Sequence, residues 1–252
     1  MDKFGLVSII TPTYNSSRFI KSTYESIVKQ SYKNWEWLVT DDCSTDDTMS
    51  ILSQLSAEDS RVRVFSLNIN SGAAIARNNS LDHVRGDFAA FLDSDDLWLP
   101  GKLVRQLSFM GDTIDFSFTA YEQANVQGHP TGLKIDSKNK GSFNFQDMLK
   151  KRATLGCSTV ILKSDLVSSL RMRDIRTGQD YAFWLDLLKM GHRAHLLPDV
   201  LTHYRIVPNS ISRNKLKKAK RQWFIYRRVH NIPFPISVFY FINYAWRAVL
   251  KR

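Results

Sequence analysis

From residue 6 to residue 92 the chain switches between two hydrophobic periods. Residues 6–11 (LVSIIT) form an unbroken apolar run ended by Pro12, the mark of a strand buried on both faces. Residues 17–30 then place Phe19, Ile20, Tyr24, Ile27 and Val28 at helical spacing. Residues 35–40 (WEWLVT) predict a second strand, and Ser44 or Thr45 can cap a helix running to about residue 55. Residues 62–67 predict a third strand, 68–72 a turn and 73–84 a helix. Residues 87–92 (DFAAFL) predict a fourth strand, and Pro100 stops it from running on. This alternation predicts a parallel sheet with helices on both faces. Ligands of such sheets sit outside the carboxyl ends of the strands. Here those ends carry Thr11–Asn15, Asp41-Asp42 and Asp93–Asp96, so three polar clusters converge on one crevice.

The second half is less regular. Helices are predicted over 102–110, 145–151 and 180–190, the last with Phe183, Trp184, Leu187 and Leu188 on its core side. Strands are predicted over 116–121, 158–162, 193–197 and 201–205, and the polar stretch 122–142 reads as a hairpin or mobile loop. Charge then changes the picture. The net charge is +11, from 35 Lys and Arg against 24 Asp and Glu. Eleven of the basic residues and none of the acidic ones lie from Arg213 onward, which leaves 35 − 11 = 24 basic residues against 24 acidic in residues 1–212. The body is neutral and the tail carries the whole excess, which marks a boundary after residue 212. Expected units are therefore 1–212, with halves 1–100 and 101–212, and a basic, aromatic, helical tail at 213–252.

The tail's apolar stretch is about a dozen residues, too short to span a bilayer, and no run of eighteen apolar residues occurs anywhere. The N-terminus, reaching a turn by Pro12, does not read as a signal peptide. Two distant cysteines, Cys43 and Cys157, predict no disulfide framework and fit a reducing cytoplasm. Basic residues interleaved with Trp223, Phe224, Tyr226, Phe239, Tyr240, Tyr244 and Trp246 suit a helix lying on an anionic membrane. Binding of RNA by the same chemistry is the rival, and a plain solvated helix the bland alternative.

The densest chemistry is FLDSDDLWLP at 91–100. Three carboxylates within four residues repel one another, and apolar flanks aggravate it, so such a cluster calls for a cation. In extended geometry Asp93 and Asp95 point to one side. Two hard oxygen ligands there suit Mg²⁺ or Mn²⁺ holding a phosphate. Trp98 stands at the sixth position from Asp93, where a calcium loop needs Gly. A solvated acidic turn capping the next helix is the competing reading. No GxGxxG follows the first strand and no GxxxxGK[ST] occurs, which disfavours dinucleotide redox and P-loop chemistry. A nucleotide can be held by other means: Tyr14 can stack on a base, Asp42 can accept a base N–H, Asp93 a ribose hydroxyl, and Arg77 can reach a diphosphate. Asp180 precedes an apolar helix, as an N-cap or as a general base at the crevice.

SIITPTYN, VTDDCSTDDT, NSGAAIARN, FLDSDDLWLPGKL and GQDYAFWLDLL, in that order over residues 5–212, resemble the inverting family 2 glycosyltransferases. DIRTGQD followed by HYRIVPNSIS and a basic C-terminus is similar to their bacterial cell-surface polysaccharide branch, of teichuronic acid and O-antigen type. The resemblance implies an α/β GT-A fold: a Rossmann-like nucleotide-binding half, a mixed central sheet flanked by helices, and the helical tail. It implies that Pro12, Tyr14 and Asp42 hold the uracil and ribose of a UDP-sugar, and that Arg77 approaches the diphosphate. Asp93 and Asp95 match the family's DxD, with Asp95 the direct ligand of Mn²⁺ or Mg²⁺ and Asp96 assisting. Asp180 matches the last residue of the ED motif, the catalytic base, with Gln179 in place of the Glu. Arg205, Ser210 and Ser212 match a motif that closes over the phosphates. The expected reaction moves glucose or galactose from UDP to a lipid-linked saccharide. The expected place is peripheral, on the cytoplasmic face of the inner membrane, in lipopolysaccharide O-antigen or capsule-like biosynthesis. A nucleotidyltransferase of similar fold would release pyrophosphate instead, and a nucleic-acid binder would turn over nothing.

Overall fold

The structure, a computed structural model, describes residues 4–207 and 215–250. Strands β1 (Val7–Thr13), β2 (Trp35–Asp41), β3 (Val62–Ser66) and β4 (Phe88–Phe91) alternate with helices α1 (Ile20–Val28), α2 (Thr48–Glu58) and α3 (Ala73–Leu81). β1 pairs in parallel with β2 and β4, and β2 with β3. Every residue of β1 and β2 is buried, because helices cover both faces. Val7 and Ile9 share a core with Ile20 and Ile27 of α1. Ile10, on the other face, packs with Ala74 and Leu81 of α3.

After β4 come β5 (Leu97–Trp98), α4 (Lys102–Met110), β6 (Phe116–Ala124), β7 (Pro130–Ile135), β8 (Ser142–Phe143), α5 (Phe145–Leu149), β9 (Ile161–Lys163), α6 (Gln179–Lys189) and β10 (Ala194–Arg205). The sheet runs β3-β2-β1-β4-β9-β6-β10-β5, with β7 on β6 and β8 on β10. β9 is antiparallel to both β4 and β6, so the sheet is parallel only through its first four strands and mixed beyond.

Several expectations change. β1 does not end before Pro12 but pairs through it, with Pro12 opposite Thr40. The β4 side of β1 is paired only through Ile10, so no ladder bond needs the amide hydrogen that proline lacks. The two strands expected over 193–205 are one strand, β10, whose register on β6 shifts on either side of Val200. The 122–142 stretch is a hairpin, closed by Asn125 N donating to the carbonyl of His129. Asp93–Asp96 is not extended but a turn, in which Asp96 N donates to the Asp93 carbonyl at 3.1 Å.

Helices α7 (Lys215–Phe224) and α8 (Phe234–Leu250) follow, joined through a π-helical turn at Ile225–Val229. Their aromatic and aliphatic residues divide. Ile225, Tyr226, Ile232 and Tyr240 belong to the same core as Phe183 and Trp184 of α6. The Tyr226 hydroxyl donates to the Leu149 carbonyl at 2.6 Å. Phe224, Phe234, Ile236, Phe239, Ile242 and Trp246 remain exposed. The charge boundary after residue 212 is therefore not a boundary in packing. Among the described residues no helix is long and apolar enough to cross a membrane.

Candidate active site

The acidic turn after β4 is anchored from three sides. The Thr23 hydroxyl of α1 donates to the carbonyls of Ser94 and Asp96, at 2.9 and 3.0 Å. Ser16 and Ser94 share a hydroxyl contact at 2.8 Å. Ser158, in the 3₁₀ turn Cys157–Thr159, accepts from Asp93 N and donates to Asp96 Oδ2. Its carbonyl accepts from Trp98 Nε1 at 2.7 Å and from the Thr202 hydroxyl at 3.2 Å. Along the chain Ser158 reads only as the first residue of the strand expected over 158–162. Nothing in its neighbourhood along the chain signals that it ties β5 and β10 to the acids.

The three carboxylates have different surroundings. Asp96 is fully buried, with Oδ2 taken by Ser158 and Oδ1 accepting from Arg205 N at 2.9 Å. Burial, then the Asp95 and Asp93 charges, push its carboxyl well above the usual range. Asp93 faces the crevice and accepts from Arg77 Nη2 at 2.5 Å. Asp95 is raised to about 6, by burial first and then by Asp93, against the pull of Arg205 and Arg77.

Arg77 projects from α3 and is only 5% exposed. Burial opposes its charge, but Cys157, Asp93 and Asp180 together outweigh it and raise its pKa. Burial also pushes the Cys157 thiol well up, so it stays neutral and the two carboxylates do the holding. Arg77 Nε and Nη1 are buried without an acceptor among the described residues. A guanidinium with two idle donors, set between Asp93 and Asp180, suits an incoming anion.

On the nucleotide side Tyr14 is 49% exposed and Pro12 is buried in β1. Asn15, with φ of 48°, links the ends of β1 and β2: its amide donates to Ser44 Oγ and its side chain accepts from Thr45 N. Asp42 is buried and accepts from Ser71 N and Gly72 N, each at 2.7 Å, which fixes the start of α3. Arg205 turns inward. Its guanidinium donates to the carbonyls of Asp95 and Val126 and to the Ser22 hydroxyl, and lies 4.8 Å from the Phe19 ring centre. Ser210 and Ser212 lie outside the described residues.

Asp180 sits in the first turn of α6, where its charge suits the helix N-terminus. It does not cap the helix. Gly178 holds the N-cap position at φ 76°, with no side-chain cap bond. The Asp180 charge acts on Arg77, as does that of Asp93, so the two carboxylates lie within electrostatic reach of one guanidinium.

Among the described residues no group of three or more His, Cys, Asp or Glu converges as a metal cage. The donors available are two carboxylates, Asp93 and Asp95. That set fits Mg²⁺ or Mn²⁺, which bind through one or two carboxylates and complete their shells with substrate phosphates.

Residues 8–166 match glycosyl transferase family 2. The chain is 44% identical over 248 residues to TuaG of Bacillus subtilis (strain 168), named as a teichuronic acid biosynthesis glycosyltransferase, covering 98% of this chain and 97% of that one. The chain belongs to glycosyl transferase family 2. It is also 36% identical, over 100% of its length and 96% of the relative, to Escherichia coli WfgD. WfgD is named as a UDP-Glc:alpha-D-GlcNAc-diphosphoundecaprenol beta-1,3-glucosyltransferase. Among solved structures, the UDP complex of S. aureus TarS superposes with a TM-score of 0.69 at 23% identity, over 89% of this chain and 65% of that one. The mannosyltransferase PcManGT from Pyrobaculum calidifontis, with GDP-Man and Mn²⁺, gives 0.72 at 19%, over 95% and 69%. The fold of this family 2 glycosyltransferase is GT-A. Its α6 is entered through Gly178-Gln179-Asp180, and the Gln179 side-chain amide oxygen Oε1 is buried without a donor among the described residues.

Proposed function

We propose that the protein transfers a hexose, glucose first, from its UDP donor to a lipid-linked saccharide during synthesis of a bacterial cell-surface polysaccharide. The observation that carries this is Asp180, uncapped and electrostatically joined through Arg77 to the Asp93–Asp96 turn. The names of TuaG and WfgD support the polysaccharide setting, the UDP-glucose donor and the diphosphate-linked acceptor. Tyr14, Pro12 and Asp42 line the nucleotide end, and Arg77 offers its idle donors to the diphosphate. Asp93 and Asp95 would hold Mn²⁺ or Mg²⁺, which when bound offsets the negative charge gathering on departing UDP. Asp96 and Arg205 act by position, since both are engaged within the protein.

The acceptor oxygen attacks the anomeric carbon as the bond to the β-phosphate oxygen breaks. UDP leaves with that electron pair. The acceptor proton passes to Asp180 on the face opposite UDP, and the anomeric configuration inverts. The exposed face of α7 and α8, rimmed by basic residues, rests on the anionic inner membrane from the cytoplasmic side.

A panel of UDP-hexoses with a GlcNAc-diphospholipid acceptor, assayed with Mn²⁺ and with EDTA, tests the reading. The expected result is UDP release that EDTA abolishes and a β-linked glucoside by NMR. Pyrophosphate release, an α-linked product, or retention of RNA at physiological salt without turnover would overturn it.

A further inference from the structure

Positive charge gathers beside the start of α6, where the proposed chemistry has not used it. Arg221 of α7 lies against Gly178. A Cβ on Gly178 would come within 2.8 Å of Arg221 Cδ and 3.1 Å of its Nε, so glycine is what lets the guanidinium approach the start of α6. Lys218 stands one turn earlier on α7. Burial first, then the charge of Arg221, lower its pKa. Arg221 also acts on Tyr244, whose ring lies 4.5 Å from Lys151 Nζ. Among the described residues neither Lys218 nor Arg221 forms an ion pair, and Arg221 Nε is buried with no acceptor.

Two neighbouring half-buried cations without a counterion repel each other. Placing them at the positive end of a helix dipole adds to the cost. Asp180, in that helix's first turn, supplies one negative charge for the whole group. The arrangement becomes favourable when a multivalent anion enters. The donor diphosphate belongs at the other side, with Arg77, Asp93 and Asp95.

We infer that Lys218 and Arg221, at the N-terminus of α6, form a binding site for the diphosphate of the lipid-linked acceptor. This rests on the proposed reaction and adds the group by which the acceptor is recognised. In a sugar diphospholipid the diphosphate is one ring away from the hydroxyl that loses its proton. Arg221, against Gly178 two residues before Asp180, with Lys218 beside it on α7, therefore holds the acceptor with that hydroxyl toward the base. α7 also belongs to the tail whose outer face carries exposed aromatics, so the lipid end of the acceptor leaves toward the membrane side.

The full-length protein is assayed with GlcNAc diphosphate bearing a phenoxyundecyl tail and with GlcNAc bearing that tail through a plain glycosidic oxygen. Lys218→Gln with Arg221→Gln lowers the kcat/KM preference for the diphosphate acceptor about tenfold, the loss of one charge-assisted hydrogen bond. The change appears mainly in the acceptor KM, and Arg221→Lys keeps most of the preference. An unchanged preference overturns the inference. Lys218→Gln alone gives the same readout if the double variant melts early. Calorimetric binding of inorganic diphosphate under EDTA, with saturating UDP filling the donor side, needs no turnover, and so separates this site from the proposed reaction. Lys218→Gln weakens that binding about fivefold, and binding equal to wild type overturns the site. Loss of pelleting with phosphatidylglycerol vesicles while the acceptor preference stays intact would assign the cations to phospholipid headgroups and also overturn it.

Discussion

At the residue scale, the acidic turn shows how differently neighbouring carboxylates can be used. Asp180→Asn keeps the shape of the side chain but accepts no proton. It is expected to lower kcat by about 10²–10⁴ with UDP affinity near wild type, read by steady-state rates and calorimetry. A normal rate per folded molecule would remove Asp180 from the chemistry. Asp95, raised to about 6, binds a proton below that pH and then offers no charge to a cation. Mn²⁺ affinity should fall as pH drops through about 6, and Asp95→Asn should be weak at every pH. Electron paramagnetic titration of Mn²⁺ from pH 5 to 7.5 checks both. Ser158→Ala strips the donor from buried Asp96 Oδ2 and should cost about 1–3 kcal/mol in urea unfolding. The acids themselves are legible along the chain. That Asp96 turns inward is not, because its partners Ser158 and Arg205 are 62 and 109 residues away.

At the scale of elements, α6 is the hinge between chemistry and tail. Its apolar spacing identifies the buried face correctly, with Phe183, Trp184, Leu187 and Leu188 all in the core. The periodicity says nothing of what covers that face. Part of the cover is the segment between α7 and α8, where buried His230 meets Asp186 at 3.7 Å and the Phe145 ring. Burial lowers His230 to about 4, with Arg173 and Lys189 in the same sense and Asp186 and the Ala182 backbone opposing. A neutral native His whose unfolded pKa is near 6.5 contributes stability above that pH. That contribution is lost as pH falls from 6.5 toward 4. The hydrogen-exchange protection factors of residues 225–240, with the slower intrinsic exchange at low pH divided out, should therefore fall on acidification over that range, and His230→Phe should flatten the dependence.

At the scale of the whole molecule, the +11 excess belongs to the chain from residue 213 onward, which follows a neutral body. The same segment bears Phe239, 53% exposed, and Trp246, 66% exposed, on α8. Each Lys or Arg near an anionic surface contributes about 1 kcal/mol, so pelleting with anionic liposomes and release by high salt are expected. Replacing Phe239 and Trp246 by Ser should weaken pelleting without lowering the melting temperature, because neither lies in the core. Protein that stays in solution with anionic vesicles at low salt would sink the idea. Removal of everything after residue 212 is expected to destabilise the enzyme, since it strips Ile225, Tyr226, Ile232 and Tyr240 from the core.

The sequence by itself determined the alternation of strands and helices through residue 92, the polar clusters at three strand ends, and the candidate base ahead of an apolar helix. Those features are local, because the period of burial along an element is written in the element. The tertiary structure alone decided the reversal of β9, which lies between β4 and β6 without a distinctive period of its own. It alone joined Arg77 to Asp93 and Asp180, made Ser158 the anchor of the acidic turn, and divided the tail into a packed side and an exposed one. Each of these depends on which distant surfaces meet. A side chain's chemistry is carried by its residue type, but its partner is chosen by the fold.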